Sequence, residues 1–193
     1  MLTRNGNQQQ NAAFRSVRSF RRMLKLVVGC LLMVGAAGLS SCSSVTYSTS
    51  LPPPSPEGRS LSVGVLQETN HARRSNGLSP LASNAALAKA AEDQARFLVA
   101  NVPVGGVMSK ATAHHDFGDR SVAVMRANSM TSTAEIVAAM PRGQFAPANV
   151  VRVWLASPGH RGKVLGAWSQ AGAGAARAAD GTWFVVEWFG NFR

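Results

Sequence analysis

The chain has 193 residues, a formal net charge of +11 and a hydrophobic fraction of 46%, which suits one domain with its own apolar core. Six basic residues and no acidic residue lie in residues 1–41, so residues 42–193 carry a charge of only +5 (11 − 6). The remaining arginines are scattered and are not interleaved with aromatic residues, which argues against a nucleic-acid-binding surface. We therefore expect no nucleic-acid partner.

The amino terminus has the composition of a secretory signal. A basic region at residues 15–25 is followed by an almost wholly apolar stretch, Leu26 to Leu39. This stretch is shorter than the ~20 residues that a membrane-spanning helix needs, and the combination is typical of a signal peptide. Leu39-Ser40-Ser41-Cys42 then matches a bacterial lipobox, in which the cysteine is acylated and becomes the first mature residue.

We predict that residues 1–41 are a lipoprotein signal peptide and that Cys42 anchors the protein to a lipid bilayer. Ser43 gives no aspartate-type signal for retention in the inner membrane, so a location in the cell envelope on the periplasmic side of an outer membrane is favoured. A plain signal peptide or a signal anchor is the alternative, and Met23 is an alternative start.

Residues 42–60 are predicted to form a tether, because Ser43 to Gly58 is rich in Ser, Thr and Pro. That composition favours extended geometry and buries no core. The folded domain is predicted over residues 61–193. It contains no cysteine, since Cys30 lies in the signal and Cys42 carries the lipid, so it must fold without a disulfide.

Helical periodicity dominates the first half of the domain. A first helix is predicted from near Leu61 to Gly77, with one face formed by Val63, Leu66, Asn70 and Arg74. A second helix follows a cap at Ser83-Asn84 and has helical spacing at Leu87, Ala91, Ala95, Leu98 and Val99. An exposed loop is predicted over residues 107–119, and a short helix from Val122 to Ala127.

The second half of the domain changes period. An amphipathic helix is predicted from Ala146 to Ala156, with an inward face at Val150, Val153 and Trp154. Small residues alternate from Gln170 to Ala178, Asp180-Gly181 is typical of a hairpin turn, and Thr182 to Phe189 is rich in β-forming residues. Helices beside an antiparallel sheet predict an α+β fold.

A corner in the chain separates these two kinds of structure. Pro158 disfavours helical geometry at Ser157, and Gly159 permits a tight bend. We interpret Ser157 as the cap of a new helical turn, with His160 at its start, near exposed backbone N–H groups. An imidazole that titrates near neutral pH and is held on a rigid corner is a candidate site residue.

The ordered series of motifs resembles the bacterial branch of the CAP superfamily, which is related to plant pathogenesis-related and animal cysteine-rich secretory proteins. The resemblance covers about Leu61 to Phe192. It implies an α-β-α sandwich with a central antiparallel sheet. The segments that carry it are Asn70-His71-Ala72-Arg73, Gly77-Leu78-Ser79-Pro80-Leu81, Ala88 to Ala100, Ala134-Glu135-Ile136-Val137-Ala138, Trp154 to Arg161 and Thr182 to Gly190.

The resemblance also implies a central cleft that contains two histidines and two acids. His160 matches the second histidine of the family. Glu135 matches the acid of its A-E-N-I-A segment, although Ile136 replaces the asparagine. Glu187 lies in the last strand, where it faces either the cleft or solvent.

The first cleft histidine is less certain. Relatives often carry Met-Ser-His after the second helix, whereas this chain has Met108-Ser109-Lys110, with His114 and His115 downstream. Either Lys110 replaces the histidine or one of the two downstream histidines faces the cleft. We prefer His115, which lies closest to Asp116-Phe117.

Three functions remain open from the sequence. The first is a non-enzymatic envelope lipoprotein whose cleft binds a lipid or cell-wall ligand. The second is a hydrolase, either metal-assisted or using His160 with Glu135 as an acid–base pair; the third is a purely structural role. Zinc is a possible cofactor, with His160 and His115 as ligands, although the chain has neither an H-E-x-x-H nor a G-x-S-x-G motif.

Overall fold

The computed structural model describes residues 45–192. The predicted signal peptide and the lipidation site at Cys42 lie outside these residues. None of the described helices is both long and apolar enough to cross a bilayer. The compact unit that contains the described residues is a layered α+β domain.

The domain contains six helices and four strands among its described residues. The helices are α1 (Pro56–Ser75), α2 (Ala85–Asn101), α3 (Lys110–Ala113), α4 (Phe117–Ala127), α5 (Pro147–Ala156) and α6 (Pro158–Val164). The strands are β1 (Ala82–Ser83), β2 (Met130–Met140), β3 (Gln170–Arg177) and β4 (Trp183–Phe192).

The strands form one sheet in the order β1-β3-β4-β2. The β3–β4 and β2–β4 pairs are antiparallel, and β1 adds a short parallel pair beside β3. The predicted turn at Asp180-Gly181 joins β3 to β4, and Gly181 has the positive φ of 88° that such turns favour. The α+β class and the α-β-α sandwich are therefore confirmed.

Each face of the sheet has its own apolar core. Helices α1 and α5 cover one face, where Val65, Val150 and Trp154 pack against Ile136 and Phe189. Helix α2 covers the other face with four fully buried side chains at the predicted positions, Leu87, Ala91, Ala95 and Leu98. Burial on both faces explains why β4 is almost continuously apolar.

Helix α1 differs from the prediction in its start and in its buried face. It begins at Pro56 rather than near Leu61, because Ser55 caps it by accepting a hydrogen bond from Gly58 N at 2.9 Å. Val63 is 60% exposed, and the buried residues are instead Val65, Thr69, Ala72 and Arg73. The predicted and the buried stripe each contain two apolar and two polar residues, so periodicity alone could not separate the two faces.

One strand was not predicted, and two other local predictions were wrong. Strand β2 was not predicted, although it is the longest strand and carries Glu135. The predicted loop over residues 107–119 contains α3 and the start of α4. In α5, Val153 is 43% exposed while its neighbour Val151 is buried.

The segment predicted as a tether also contacts the domain. Residues 45–55, here called the N-terminal strap, precede α1 in the chain and lie along α2 in space. Ser48 in the strap is hydrogen-bonded to Asn101 at the end of α2. The part of the predicted tether that the structure describes is therefore fixed to the domain, because backbone groups of the strap find partners on α2.

Candidate functional site

Glu135 is the centre of a polar cluster on β2, the outer strand of the sheet. Its side chain is fully buried. It accepts hydrogen bonds from Trp188 Nε1 at 2.7 Å, from Arg120 Nη1 at 2.9 Å and Nη2 at 3.3 Å, and from His114 Nδ1 at 2.9 Å. A carboxylate can only accept, so His114 carries its proton on Nδ1 and its Nε2 is available to another partner.

The short α3 and the turn after it position these groups. Ser109 caps α3 by accepting from Thr112 N at 3.0 Å, and the helix ends with His114 as its C-cap. Asp116 then adopts a left-handed conformation with φ of 50° and begins α4. This turn brings Arg120 back toward the loop, where its Nε donates to His115 O at 2.9 Å.

The surroundings of Glu135 keep it ionised. Burial alone would raise the pKa of this carboxyl group. The hydrogen bonds from His114, Arg120 and Trp188, together with the positive charge of Arg120, outweigh burial and hold the pKa of Glu135 below its ordinary value. The guanidinium of Arg120 also lies 5.3 Å from the centre of the Trp188 ring, so the aromatic face adds to its fixation.

His160 lies where the sequence predicts, as the third residue of α6 after Pro158. Ser157 occupies the N-cap position, but its side chain makes no capping hydrogen bond, which corrects the predicted role of that hydroxyl. Burial and the nearby His114 lower the pKa of His160 below its ordinary value, so its ring is neutral at pH 7. Its Nδ1 is buried and has no hydrogen-bond partner among the described residues.

These residues form what we call the histidine cleft, defined by His114, Arg120, Glu135 and His160. Of the candidates for the first cleft histidine, His114 contacts Glu135 at 2.9 Å, whereas the preferred His115 makes no such contact in the described structure. The ring of His115 instead packs between Tyr47 at 4.2 Å and Phe97 at 4.7 Å, measured between ring centres. Successive side chains in this turn diverge, and only the first reaches Glu135.

Glu187 does not belong to the histidine cleft. In the β2–β4 pair it lies opposite Ile136, whereas Glu135 lies opposite Trp188, so the two acids point to opposite faces of the sheet. Glu187 is fully buried beneath α1 and accepts one hydrogen bond from Thr69 Oγ1 at 2.8 Å. Burial raises its pKa to about 8, against the opposing effects of Thr69 and Arg73.

The opening motif of the domain has a structural role. Asn70 bonds both backbone groups of Leu81, accepting from N at 2.7 Å and donating to O at 3.0 Å. Arg73 is buried and donates to the carbonyl oxygens of Ser79, Val164 and Gly166. The motif therefore joins α1 to the loop before β1 and to the end of α6.

The described residues do not assemble the predicted zinc site from His160 and His115. The described residues contain no group of three His, Cys, Asp or Glu side chains that could hold one. Both oxygens of Glu135 are occupied by N–H donors, and the adjacent guanidinium repels a cation. His115, the second predicted zinc ligand, is bound in the aromatic contact described above.

Sequence reasoning missed Arg120 and Trp188, which both donate hydrogen bonds to Glu135. Arg120 has one signal, a Gly-Asp-Arg sequence shortly after the histidines. Trp188 has a weaker signal: alternation along β4 places its side chain on one face of the sheet, and this face is the one that carries Glu135. The pairing itself depends on contacts between residues far apart in sequence.

A separate groove of about 720 Å³ lies between α1 and α2. Its floor includes Leu66, Leu81 and Ala173, and charged side chains line its rim: Arg59, Lys89, Glu92, Asp93 and Arg96. None of the four residues of the histidine cleft lines it. This groove and the histidine cleft are thus two different places on the domain.

The comparisons with known proteins agree with this architecture. An outer surface protein from Borrelia burgdorferi is 23% identical with a TM-score of 0.52, over 67% of this chain and 90% of that one. A cysteine-rich secretory protein from Staphylococcus aureus is 17% identical with a TM-score of 0.50, over 72% of this chain and 40% of that one. An extracellular protein from Bacillus anthracis that contains an SCP domain is 21% identical with a TM-score of 0.51, over 72% of this chain and 45% of that one.

These likenesses show the fold alone, and no curated protein matches the chain significantly. The family itself is shown by its sequence profile. The profile described as "CAP: Cysteine-rich secretory protein family" matches residues 66–188, which is more than half of the chain and includes every residue of the histidine cleft. The chain therefore belongs to the CAP, or cysteine-rich secretory protein, family.

Proposed function

We propose that this protein is a lipid-anchored protein of the cell envelope whose CAP domain binds a neutral polar ligand at the histidine cleft. One observation carries the proposal: His160 has a buried ring nitrogen without a partner among the described residues, beside a His114 that is already fixed by Glu135. Buried polar atoms are nearly always paired. A ligand group or a bound water is the natural partner.

The charge of the cleft favours a neutral ligand. The positive charge of Arg120 is balanced by ionised Glu135, and His160 is neutral because its pKa is lowered. Each of the two imidazoles, His114 and His160, has one ring nitrogen that can donate or accept a hydrogen bond with a ligand. Hydroxyl and amide groups can bond to both ring nitrogens without carrying a charge. This favours a cell-wall glycan or its peptide over an anionic headgroup as the ligand.

The anchor is supported by the amino-terminal sequence. Leu39-Ser40-Ser41-Cys42 follows a basic region and a short apolar stretch. The structural neighbour from Borrelia is named an outer surface protein, which is compatible with an envelope location. A Cys42→Ala protein should lose acyl labelling in growing cells and remain unprocessed or leave the membrane; normal cleavage and membrane retention would contradict the anchor.

Binding to the cell wall can be tested with the intact protein and isolated peptidoglycan. His160→Ala should weaken co-sedimentation about tenfold, the loss expected for one hydrogen bond of ~1.4 kcal/mol. His71→Ala is the matched control, because His71 is an exposed histidine on α1. Unchanged binding by His160→Ala would exclude the histidine cleft as the binding site.

A lipid ligand is the second candidate, favoured by the groove between α1 and α2. Its volume of about 720 Å³ and apolar floor suit an acyl chain, with charged groups at the rim for a head group. In this case His160→Ala would bind the lipid normally. Leu66→Glu, which places a charge on the floor, would abolish lipid binding while leaving peptidoglycan binding unchanged.

The hydrolase alternative has one supporting observation, a His160 that is neutral at pH 7 and could accept a proton. The proposed acid–base pair is not supported, because Glu135 bonds His114, Arg120 and Trp188 rather than His160. Muropeptide release from peptidoglycan that is abolished by His160→Ala would establish this alternative. Retention of intact polymer favours binding.

A further inference from the structure

The N-terminal strap is bonded along α2 over much of its length. Ser48 N donates to Asn101 Oδ1 at 2.6 Å, and Asn101 Nδ2 returns a hydrogen bond to Ser48 O at 3.1 Å. Arg96 Nε donates to Pro52 O. The direction of the strap is therefore fixed: it starts at the carboxyl end of α2 and ends at Ser55, the cap of α1.

Tyr47 fastens the start of the strap. Its ring lies 5.4 Å from the Phe97 ring and 4.2 Å from the His115 ring, measured between centres, and the Phe97 and His115 rings are stacked. Contacts between aromatic rings stabilise a structure beyond the area that they bury. The strap is thus held by a side-chain cluster as well as by hydrogen bonds.

The same end of the domain exposes apolar side chains. Val107 is 94% exposed and Val104 is 70% exposed, both in the loop that follows Asn101, and Val45 in the strap is 73% exposed. Residues 102–109 of that loop contain no charged side chain. Val45, Val104 and Val107 together are called the apolar tip.

We propose that the apolar tip contacts the bilayer that holds the lipid of Cys42, so that this end of the domain lies on the membrane. The inference rests on the lipid anchor of the proposed function. Cys42 precedes Tyr47 by five residues, and five residues of fully extended chain reach at most about 17 Å. Fixing Tyr47 to Phe97 and His115 therefore removes the free length that a flexible tether would provide.

The partner is a lipid surface because of what the apolar tip contains. Exposed valines on an uncharged loop favour transfer into the interfacial region, to a depth of ~5–10 Å. Tyr47 beside them is a residue type that is enriched at membrane interfaces. The affinity of three valines for a bilayer is weak on its own. It suffices to hold the apolar tip on the membrane, because the covalent anchor keeps the tip close to the bilayer at a high effective concentration.

The test uses the full-length lipoprotein, purified from membranes and reconstituted into vesicles. The folded part has no cysteine, so Val107→Cys introduces one reactive thiol once Cys42 is acylated and the signal is removed. A fluorophore at this position should lose most of its emission to quenchers carried on lipid chains. The matched control is Val153→Cys, an exposed valine on α5 at the opposite face of the sheet, which should show no quenching.

Releasing the strap should remove the effect. Tyr47→Ala should reduce the quenching at Val107→Cys toward the level at Val153→Cys, whereas Tyr47→Phe should preserve it, because the contact is made by the ring. Equal quenching at the two cysteines in a protein with acylated Cys42 would overturn the membrane surface while leaving the anchor intact. A mature protein without acyl label, seen by mass spectrometry, would overturn the anchor and the inference together.

Discussion

Strands β2 and β4 bury two glutamates on opposite faces of one sheet, and the two carboxyl groups differ in the hydrogen-bond donors that surround them. Glu135 accepts from an arginine, a tryptophan and a histidine. Glu187 accepts only from Thr69 among the described residues, and its Oε1 has no partner there. Accordingly, the pKa of Glu135 is lowered, whereas the pKa of Glu187 is raised to about 8.

The comparison shows that burial does not by itself decide whether a carboxyl group is charged. Both side chains are withdrawn from water, and burial raises the pKa of each. The number and charge of the donors decide the outcome. The ionised glutamate orients a histidine in the cleft, and the neutral one is packed in the core beneath α1, where it has no contact with the cleft residues.

The largest expected effect is the pH dependence that Glu187 imposes on stability. Below its ordinary pKa of 4.5 the group is protonated in the folded and unfolded chain alike. Between pH 4.5 and about 8 only the unfolded chain releases the proton, so stability falls as pH rises through this window. The pKa difference of about 3.5, at 1.36 kcal/mol per unit, gives an upper limit of about 5 kcal/mol.

Urea unfolding at several pH values between 4.5 and 8 measures this slope, and Glu187→Gln is the control. The amide cannot titrate but keeps an acceptor for Thr69, so the variant should lose the slope in this window. A wild-type protein whose stability is flat or rises between pH 5 and 8 would mean that Glu187 is ionised, and the contrast with Glu135 would disappear.

Glu135→Ala should cost about 3 kcal/mol of unfolding free energy, because it leaves the guanidinium of Arg120 and the buried N–H of Trp188 without an acceptor. Chemical denaturation of the purified protein gives the value. Asp119→Ala, an exposed acid next to Arg120 in α4, should cost less than about 1 kcal/mol. If the two substitutions lowered the unfolding free energy by similar amounts, the buried ion pair would stabilise the fold no more than an exposed acid does.

Thr69→Val tests the weaker environment and should cost about 1–2 kcal/mol at pH 6, since the isostere removes the one hydrogen bond to Glu187 in the described structure. That hydrogen bond lowers the pKa of Glu187, so its loss should extend the falling limb of stability to higher pH. A variant with an unchanged midpoint in urea at pH 6 and an unchanged pH profile would argue against this contact.

The smallest effect is expected at His160. Replacement by alanine should change the unfolding free energy by no more than about 0.5 kcal/mol, because the ring gives up no hydrogen bond from its buried Nδ1. Thermal unfolding beside the ligand-binding assay separates stability from function. A loss above 2 kcal/mol would assign His160 to the core instead of the histidine cleft.

The sequence was informative where periodicity and packing agree. The buried positions of α2 were predicted because alanine and leucine recur at helical spacing, and the β3–β4 hairpin because Asp180-Gly181 is a typical turn. The resemblance to the CAP family located Glu135 and His160. For α1 the pattern failed, because its buried face includes Thr69 and Arg73, polar residues whose partners lie 118 and 91 residues away.

The partners of the site residues could not be predicted for the same reason. His114 is the C-cap of α3 and its ring reaches Glu135, a contact between two segments 21 residues apart in the chain. For Glu187, strand alternation left the cleft and solvent as alternatives, whereas the side chain lies fully buried beneath α1. Only the register that pairs Glu187 with Ile136 resolves this.

The close approach of α2 to β3 restricts which sequences can form this domain. A Cβ atom at Gly172 would lie closer than 3.0 Å to the backbone of Ala88, and one at Gly174 would meet the backbone of Glu92 in the same way. Main-chain atoms cannot turn aside as a side chain can, so the helix itself would have to move away from the sheet. These two positions are therefore closed to all nineteen other amino acids unless α2 and its buried alanines shift together, and random substitution of the domain should recover only glycine at both.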